Sequence, residues 1–202
     1  MNTAKAVFNK LQNTVLDFAK TGLDNLSSLT GWRIVPEPLA HPDDPNVCTL
    51  DIPGYKQIES YTCGYLAGAM IVHAFHPRRS LNQLLKQCAP DYETGVQTTT
   101  LVRALRASGI GVAVRENMTF ADICKAIGSG YPVITLTKTP RADEVHWVVI
   151  YGYGKAPNRL FIAGDDKWNF IGTLLGRKEV RWSDFQRSIW GQRGFGLICW
   201  GK

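Results

Sequence analysis

The sequence predicts an α+β fold in which a helical layer comes first along the chain and an antiparallel sheet follows. Two observations support this. Apolar residues recur with the helical period in several segments of the first half, and short strand-like apolar runs dominate the second half. Helices and strands that segregate in this way are typical of α+β proteins. The 202 residues, of which 45% are hydrophobic, suffice for one domain with a full core.

The chain begins with a segment whose apolar residues follow the helical period over residues 4–21. We therefore expect residues 1–30 to form an amphipathic helical segment, packed on the domain by default. A pro-segment and a partner-binding helix are the alternatives, while its mixed charges give little support for membrane binding. Residues 31–202 are expected to form a single domain, which begins with a proline-rich extended passage over residues 31–56.

The later elements follow from apolar periodicity and from turn signals. We expect helices from Cys63 onward, over 81–88, over 98–108 with Gly109 closing it, and from a Thr119–Asp122 capping box to Gly128–Gly130. We expect strands at 112–114, 132–137, 146–153, 159–163, near 179–181 and 195–200. A short helix capped by Ser183 is expected to turn Trp182, Phe185 and Ile189 toward a core.

Cys63 stands where a polar segment gives way to a long apolar helical run. This pattern places the cysteine near the first residue of a helix, with Ser60 or Thr62 as the cap. The positive end of the helix dipole stabilises an anion there, so it lowers the pKa of a thiol. Cys63 is therefore a candidate nucleophile.

His146 begins a strand-like run that a turn connects to a second run over residues 159–163. An imidazole close to a thiol lowers the thiol pKa and can later protonate a leaving group. If the run over residues 159–163 pairs antiparallel with the run that begins at His146, its end lies beside His146. We therefore expect Asp165 to accept a hydrogen bond from Nδ1–H of His146, with Asp166 as the second candidate and Asn169 as the third. Gln57 can donate to an oxyanion, together with the backbone N–H of Cys63.

These residues together resemble the papain-like cysteine peptidases, and among them the compact bacterial C39-like peptidases. The resemblance covers about residues 50–170 and is carried by Gln57, Cys63-Gly64, His146-Trp147-Val148-Val149 with Gly152-Tyr153, and Asp165. Many relatives have Pro where Tyr65 stands, and Asp-Pro where this chain has Asp165-Asp166, so the register of the acid stays open. The resemblance implies a papain-like fold with a cleft between its helical layer and its sheet.

The implied activity is that of a protease, a hydrolase that cleaves a peptide or isopeptide bond of a protein or peptide substrate through a thioester. No metal or organic cofactor is needed. Tyr65, Trp147 and Trp168 are candidates for aromatic residues that line the cleft and bind substrate, although each could equally belong to the core. The alternatives are an acyltransferase or transamidase with the same Cys-His-Asp site, and a catalytically silent papain-like binding module or effector.

Composition disfavours several other classes. The basic residues that give a net charge of +6 are scattered, so no nucleic-acid partner is expected. The sequence contains no apolar run of about 18 residues, so no transmembrane segment is expected.

The five cysteines form no CxxC pair and no secretory signal is evident, which favours a reduced, cytoplasmic protein, with leaderless export left open. Cys88, Cys124 and Cys199 are expected in the core and Cys48 in a loop. His73 and His76 are expected at a helix end, not at a metal.

Overall fold

The computed structural model describes residues 46–55, 57, 60–138, 145–164, 177–188 and 194–202. The amphipathic segment predicted over residues 1–30 and the first part of the proline-rich passage lie outside these residues. None of the described helices is both long enough and apolar enough to cross a membrane.

In the described part of the chain, five helices accompany an antiparallel sheet, which confirms the predicted α+β class. The helices are α1 (Cys63–Phe75), α2 (Asn82–Cys88), α3 (Thr98–Ala107), α4 (Phe120–Gly128) and α5 (Trp182–Ser188). The strands are β1 (Val47–Thr49), β2 (Ile110–Arg115), β3 (Val133–Lys138), β4 (Val145–Lys155), β5 (Asn158–Ala163), β6 (Arg177–Arg181) and β7 (Gly196–Gly201). Their order in the sheet is β2-β7-β3-β4-β5-β6, and β1 pairs with β4.

Helix α1 is the centre of the larger of two hydrophobic cores that the described residues form. Every residue from Cys63 to Val72 is buried, as expected for a helix that is apolar on all faces. It packs between α2 and α3 on one side and β4 on the other. The second core lies under α4 and α5, where Ile127 and Phe185 meet Ile150 of β4. The sheet therefore separates two cores, and α1 is held against the strand that carries His146.

Strand β4 is the longest strand and makes the most pairings. It pairs with β3 along its first half and with β5 along its second half, with a bulge between Ile150 and Gly152. Beyond Val133, the first residue of β3, strand β1 pairs with the same edge of β4. A Cβ on Gly152 would lie 2.8 Å from the carbonyl oxygen of Cys48, so only glycine lets β1 come this close. This pairing fixes the start of the described chain against β4.

Most predicted elements are confirmed within one or two residues of their expected bounds. The capping box of Thr119 and Asp122 is present, and Gly109 ends its helix with a φ of +74°. Cys88 and Cys199 are buried as expected, whereas Cys124 is only half-buried, because it lies near the edge of the α4 face that packs on the sheet.

Two local predictions were wrong. Val47–Thr49 was expected as extended surface chain and Cys48 as a loop residue, but they form β1, since β4 offers them an edge to pair with. Ser183 does not cap the last helix, because α5 already begins at Trp182, directly after β6. Within that helix Phe185 is buried as predicted and Trp182 is half-buried. Ile189 lies outside the described residues.

Candidate active site

Cys63 is the first residue of α1 and follows a single 3₁₀ turn over Ser60–Thr62. The predicted position at the start of a helix is therefore confirmed. Thr62 occupies the N-cap position, but no side chain caps the helix there, so the predicted capping bond is absent. The backbone N–H groups of the first turn point toward the N-terminal end of the helix, where Cys63 lies. At this end they stabilise an anion.

The surroundings of the Cys63 thiol lower its pKa. Burial by itself raises the pKa, because only 8% of the residue is exposed. A hydrogen bond and a charge interaction with His146, together with backbone hydrogen bonds from Trp147 and Gly64, outweigh burial, and the net pKa falls. The thiolate is thus favoured at this position.

Three other cysteines show the opposite behaviour. Burial raises the pKa of Cys88 and of Cys199 to about 12, and it raises the pKa of Cys124 as well. None of these three has an imidazole among the causes of its shift. Because the thiolate is the nucleophilic form, Cys63 is chemically distinct from them.

His146 lies at the start of β4 and is 4% exposed. Its Nε2–H donates to the carbonyl oxygen of Gly164 at 2.5 Å, which leaves Nδ1 as the nitrogen available to Cys63. We had expected Nδ1–H to face the orienting group, and that assignment of the ring nitrogens was wrong. The return of β5 does bring the chain back beside His146, but the acceptor there is a backbone carbonyl. Asp165, Asp166 and Asn169 lie outside the described residues.

Gln57 is half-buried and lies between the 3₁₀ turn and a segment that we call the lead-in, residues 50–55. The lead-in is anchored three times. The N–H of Leu50 donates to the carbonyl of Tyr151 at 2.7 Å, and the Arg177 guanidinium donates to the carbonyl of Ile52. The hydroxyl of Tyr55, at its end, hydrogen-bonds Nδ1 of His73. These bonds fix the backbone just before Gln57, whose role at the oxyanion stays a prediction.

His73 and His76 are both engaged at the end of α1. Nε2 of His73 lies 2.9 Å from the carbonyl oxygen of Arg79, and Nε2 of His76 lies 3.4 Å from that of Gly109. In the part of the chain that the structure describes, no three His, Cys, Asp or Glu side chains form a metal site.

Tyr65 and Trp147, the two candidate substrate-binding aromatics that the structure describes, are core residues. Tyr65 is 4% and Trp147 is 5% exposed, and both belong to the core around α1. Trp147 donates from Nε1 to the carbonyl of Val96 at 3.0 Å. This burial favours the core alternative, because α1 is covered on every face and leaves Tyr65 no open side. Trp168 lies outside the described residues.

Sequence reasoning missed the loop between α2 and α3, which reaches the start of α1. Val96 packs against Gly64 so closely that a Cβ on Gly64 would lie 2.7 Å from the Val96 Cβ. Earlier in the loop, the ring of Tyr92 packs edge-on against Tyr61. The turn residues of this loop were visible in the sequence, but nothing local indicated which part of the molecule it approaches.

An α+β fold with a cysteine at the start of its central helix and a histidine on the facing strand defines the papain-like class of cysteine peptidases. The model of the Peptidase_C39 like family matches residues 49–195. The chain therefore belongs to the C39-like peptidase family, and this confirms the predicted resemblance. Comparison with curated proteins gives no match.

Solved structures share this fold at low sequence identity. A double glycine motif protease from an AMS/PCAT transporter, in complex with the leader peptide, is 20% identical with a TM-score of 0.57, covering 77% of this chain and 95% of that one. The peptidase domain of Streptococcus ComA, a bi-functional ABC transporter of a quorum sensing pathway, is 15% identical with a TM-score of 0.55, covering 75% and 99%. A protein from Bacillus anthracis named as a C39-like peptidase is 11% identical with a TM-score of 0.58, covering 77% and 98%.

Proposed function

We propose that this protein is a cysteine peptidase that cleaves a peptide or isopeptide bond through a thioester acyl-enzyme, with Cys63 as nucleophile and His146 as base and acid. The observation that carries the proposal is the hydrogen-bonded Cys63–His146 pair, in which the thiol pKa is lowered despite burial. It occurs in a chain of the C39-like family, at the helix start where that chemistry requires a thiolate.

In the first half-reaction His146 takes the thiol proton at Nδ1, and the Cys63 sulfur attacks the carbonyl carbon. The C–S bond forms while the carbonyl π electrons move to oxygen. The backbone N–H of Cys63 and the side-chain amide of Gln57 are suited to hold that oxyanion. Collapse of the intermediate breaks the C–N bond, and His146 Nδ1–H protonates the leaving amine.

In the second half-reaction water attacks the thioester. His146 takes a proton from the water, the C–S bond breaks, and His146 returns the proton to the sulfur. The carboxylic acid product is released and the Cys63 thiol is regenerated. An amine that took the place of water would give acyl transfer instead. The two outcomes share the same intermediate and differ only in the acceptor.

The orientation of His146 supports these steps. Because Nε2–H is held by the carbonyl of Gly164, the neutral ring carries its proton there and presents the Nδ1 lone pair to the thiol. Asp165 follows Gly164 directly, so we propose it as the residue that stabilises the imidazolium, with Asp166 as second candidate. A carboxylate at this point would strengthen the Cys63–His146 ion pair.

The substrate of this site is proposed to be a peptide segment of a protein. The structurally similar double glycine motif protease was solved with a leader peptide. An extended segment suits the cleft that the family resemblance implies between the helical layer and the sheet. For hydrolysis, one carbonyl group of the substrate must reach the Cys63 sulfur.

Alkylation by iodoacetamide between pH 5 and 9, with each labelled cysteine identified by mass spectrometry, tests the nucleophile. Cys63 is expected to label much faster than Cys48, a half-buried thiol on β1, and to keep its rate to a lower pH than an ordinary thiol does. His146→Ala is expected to slow Cys63 alone. The same protein and its Cys63→Ala variant are then incubated with a degenerate peptide library, with and without an added amine.

Cleavage by the parent protein and none by Cys63→Ala supports the proposal. Products that carry the added amine would identify the activity as acyl transfer. Cys63 labelling no faster than Cys48, with no effect of His146→Ala, would refute the assignment and identify a silent binding module.

A further inference from the structure

Two exposed apolar side chains lie on segments that adjoin Cys63 and His146 in the fold. Four large hydrophobic residues are strongly exposed within the described ranges: Tyr92 at 67%, Val114 at 45%, Val145 at 44% and Tyr131 at 41%. Val145 directly precedes His146 on β4. Tyr92 packs on Tyr61, which precedes Cys63 by two residues. Exposed apolar side chains next to a candidate nucleophile and its base are candidates for a substrate-binding surface.

Tyr92 and Tyr61 form an aromatic pair that is attached to the turn just before Cys63. Their ring centroids are 5.9 Å apart and the ring planes are inclined by 65°, an edge-to-face arrangement. Tyr61 lies in the 3₁₀ turn, two residues before Cys63. The pair is therefore attached to the backbone that positions the nucleophile.

The turn that carries Tyr92 is closed by hydrogen bonds within the chain itself. Asp91 and Gly95 exchange backbone hydrogen bonds of 3.1 and 2.8 Å, and Gly95 adopts a φ of +63°. The Asp91 side chain accepts from the N–H of Glu93 and from the N–H and hydroxyl of Thr94. A side chain presented on such a turn loses little conformational freedom on binding, so its contacts contribute more of their energy to affinity.

The same turn is tied to both halves of the candidate site. Val96, next after Gly95, accepts the Nε1–H bond of Trp147, the neighbour of His146. Val96 also fills the space above Gly64, the neighbour of Cys63. The position of Tyr92 is thus fixed relative to the thiol and the imidazole.

We propose that Tyr92 and Tyr61 form a substrate subsite that takes a bulky apolar or aromatic side chain close to the scissile bond. The proposal rests on the peptidase function proposed above and names the kind of peptide that the site selects. A tyrosine pair offers a rigid apolar surface with few rotatable bonds. The exposed Glu93 in the same turn disfavours an acidic residue there.

A degenerate peptide library, with products sequenced by mass spectrometry, tests the subsite in the parent chain, Tyr92→Ala, Tyr92→Phe and Tyr131→Ala. Tyr131 is an exposed tyrosine that packs on Trp200, remote from the thiol, and serves as matched control. The parent chain is expected to prefer a bulky apolar residue at one position near the cleaved bond. Tyr92→Phe and Tyr131→Ala keep this preference, and Tyr92→Ala loses it.

For the best peptide, Tyr92→Ala is expected to lower kcat/KM about tenfold, mainly through KM. The rate of Cys63 labelling by iodoacetamide should stay unchanged, because the thiol environment does not include Tyr92. Library cleavage whose preference survives Tyr92→Ala would overturn this inference and leave the peptidase function in place. Rapid labelling of Cys63 without cleavage of any library peptide would overturn the peptidase function, and this inference with it.

Discussion

Gly64→Ala is a sharp test of how the helix start is packed. A Cβ at this position would lie 2.7 Å from the Val96 Cβ and 2.9 Å from Cδ1 of Trp147. Neither neighbour moves easily, because the Val96 Cβ is attached directly to the backbone and the Trp147 ring is held by its bond to the Val96 carbonyl. One added methyl group must therefore displace the loop or the tryptophan.

The cost follows from two opposing contributions. Overpacking of a tight core site destabilises a protein by about 1–3 kcal/mol. Alanine in place of glycine inside a helix recovers up to about 1 kcal/mol. The net expectation for Gly64→Ala is therefore a loss of about 1–2 kcal/mol, together with slower Cys63 labelling, because Gly64 and Trp147 both supply backbone hydrogen bonds to the thiol.

Gly68→Ala, one turn further along α1, is the matched control. Its Cβ would lie 3.2 Å from Cδ1 of Leu101 and 3.5 Å from Cδ2 of Leu84, which are ends of flexible side chains. This variant is expected to be neutral within about 1 kcal/mol and to label normally. Urea denaturation and iodoacetamide kinetics measure both properties. Gly64→Ala at least as stable as Gly68→Ala, with an unchanged labelling rate, would refute the packing argument.

Three further outcomes are expected. As the pH is lowered, the labelling rate of Cys63 should fall only below the usual thiol pKa of about 8.5, because the folded-state pKa is lowered. In His146→Ala this fall in rate should occur at higher pH. Coincident pH profiles of the two proteins would contradict the role of His146. Tyr55→Phe should lower the free energy of unfolding in urea by roughly 1–2 kcal/mol, because it removes the hydroxyl that hydrogen-bonds His73. Burial raises the Tyr55 pKa to about 12, so this hydroxyl is neutral. An unchanged urea midpoint would show that the Tyr55–His73 bond does not hold the lead-in. Thr119→Ala should lower the thermal midpoint by an amount equivalent to about 1 kcal/mol through loss of its capping box, without slowing Cys63 labelling.

The features that sequence predicted well are those set by local contrast. Cys63 stands at an abrupt change from polar to apolar residues, so the start of α1 was visible without any tertiary information. The same holds for the strand that begins near His146 and for the Thr119 capping box. The family resemblance added the link between Cys63 and His146, which no local pattern contains.

The features that were missed depend on contacts between distant segments. Val47–Thr49 forms a strand because β4 continues past the first residue of β3 and offers an unpaired edge. The sequence of residues 47–49 does not indicate this pairing. Which ring nitrogen of His146 is left for Cys63 depends on where the carbonyl of Gly164 lies. The burial of Tyr65 follows from α1 being enclosed on all sides. Each is a property of packing and not of composition.

Strand β4 has a consequence for when the thiol becomes reactive. It carries His146 at one end, and through Tyr151 it receives the start of the lead-in, whose far end hydrogen-bonds His73 near the end of α1. Activation therefore waits until segments far apart in the sequence have paired, which is a late event in topologies rich in distant contacts. In a chain still being synthesised or only partly folded, Cys63 holds an ordinary thiol, with a smaller thiolate fraction than beside His146. The lowered thiol pKa is thus a property of the assembled fold and not of the helix alone.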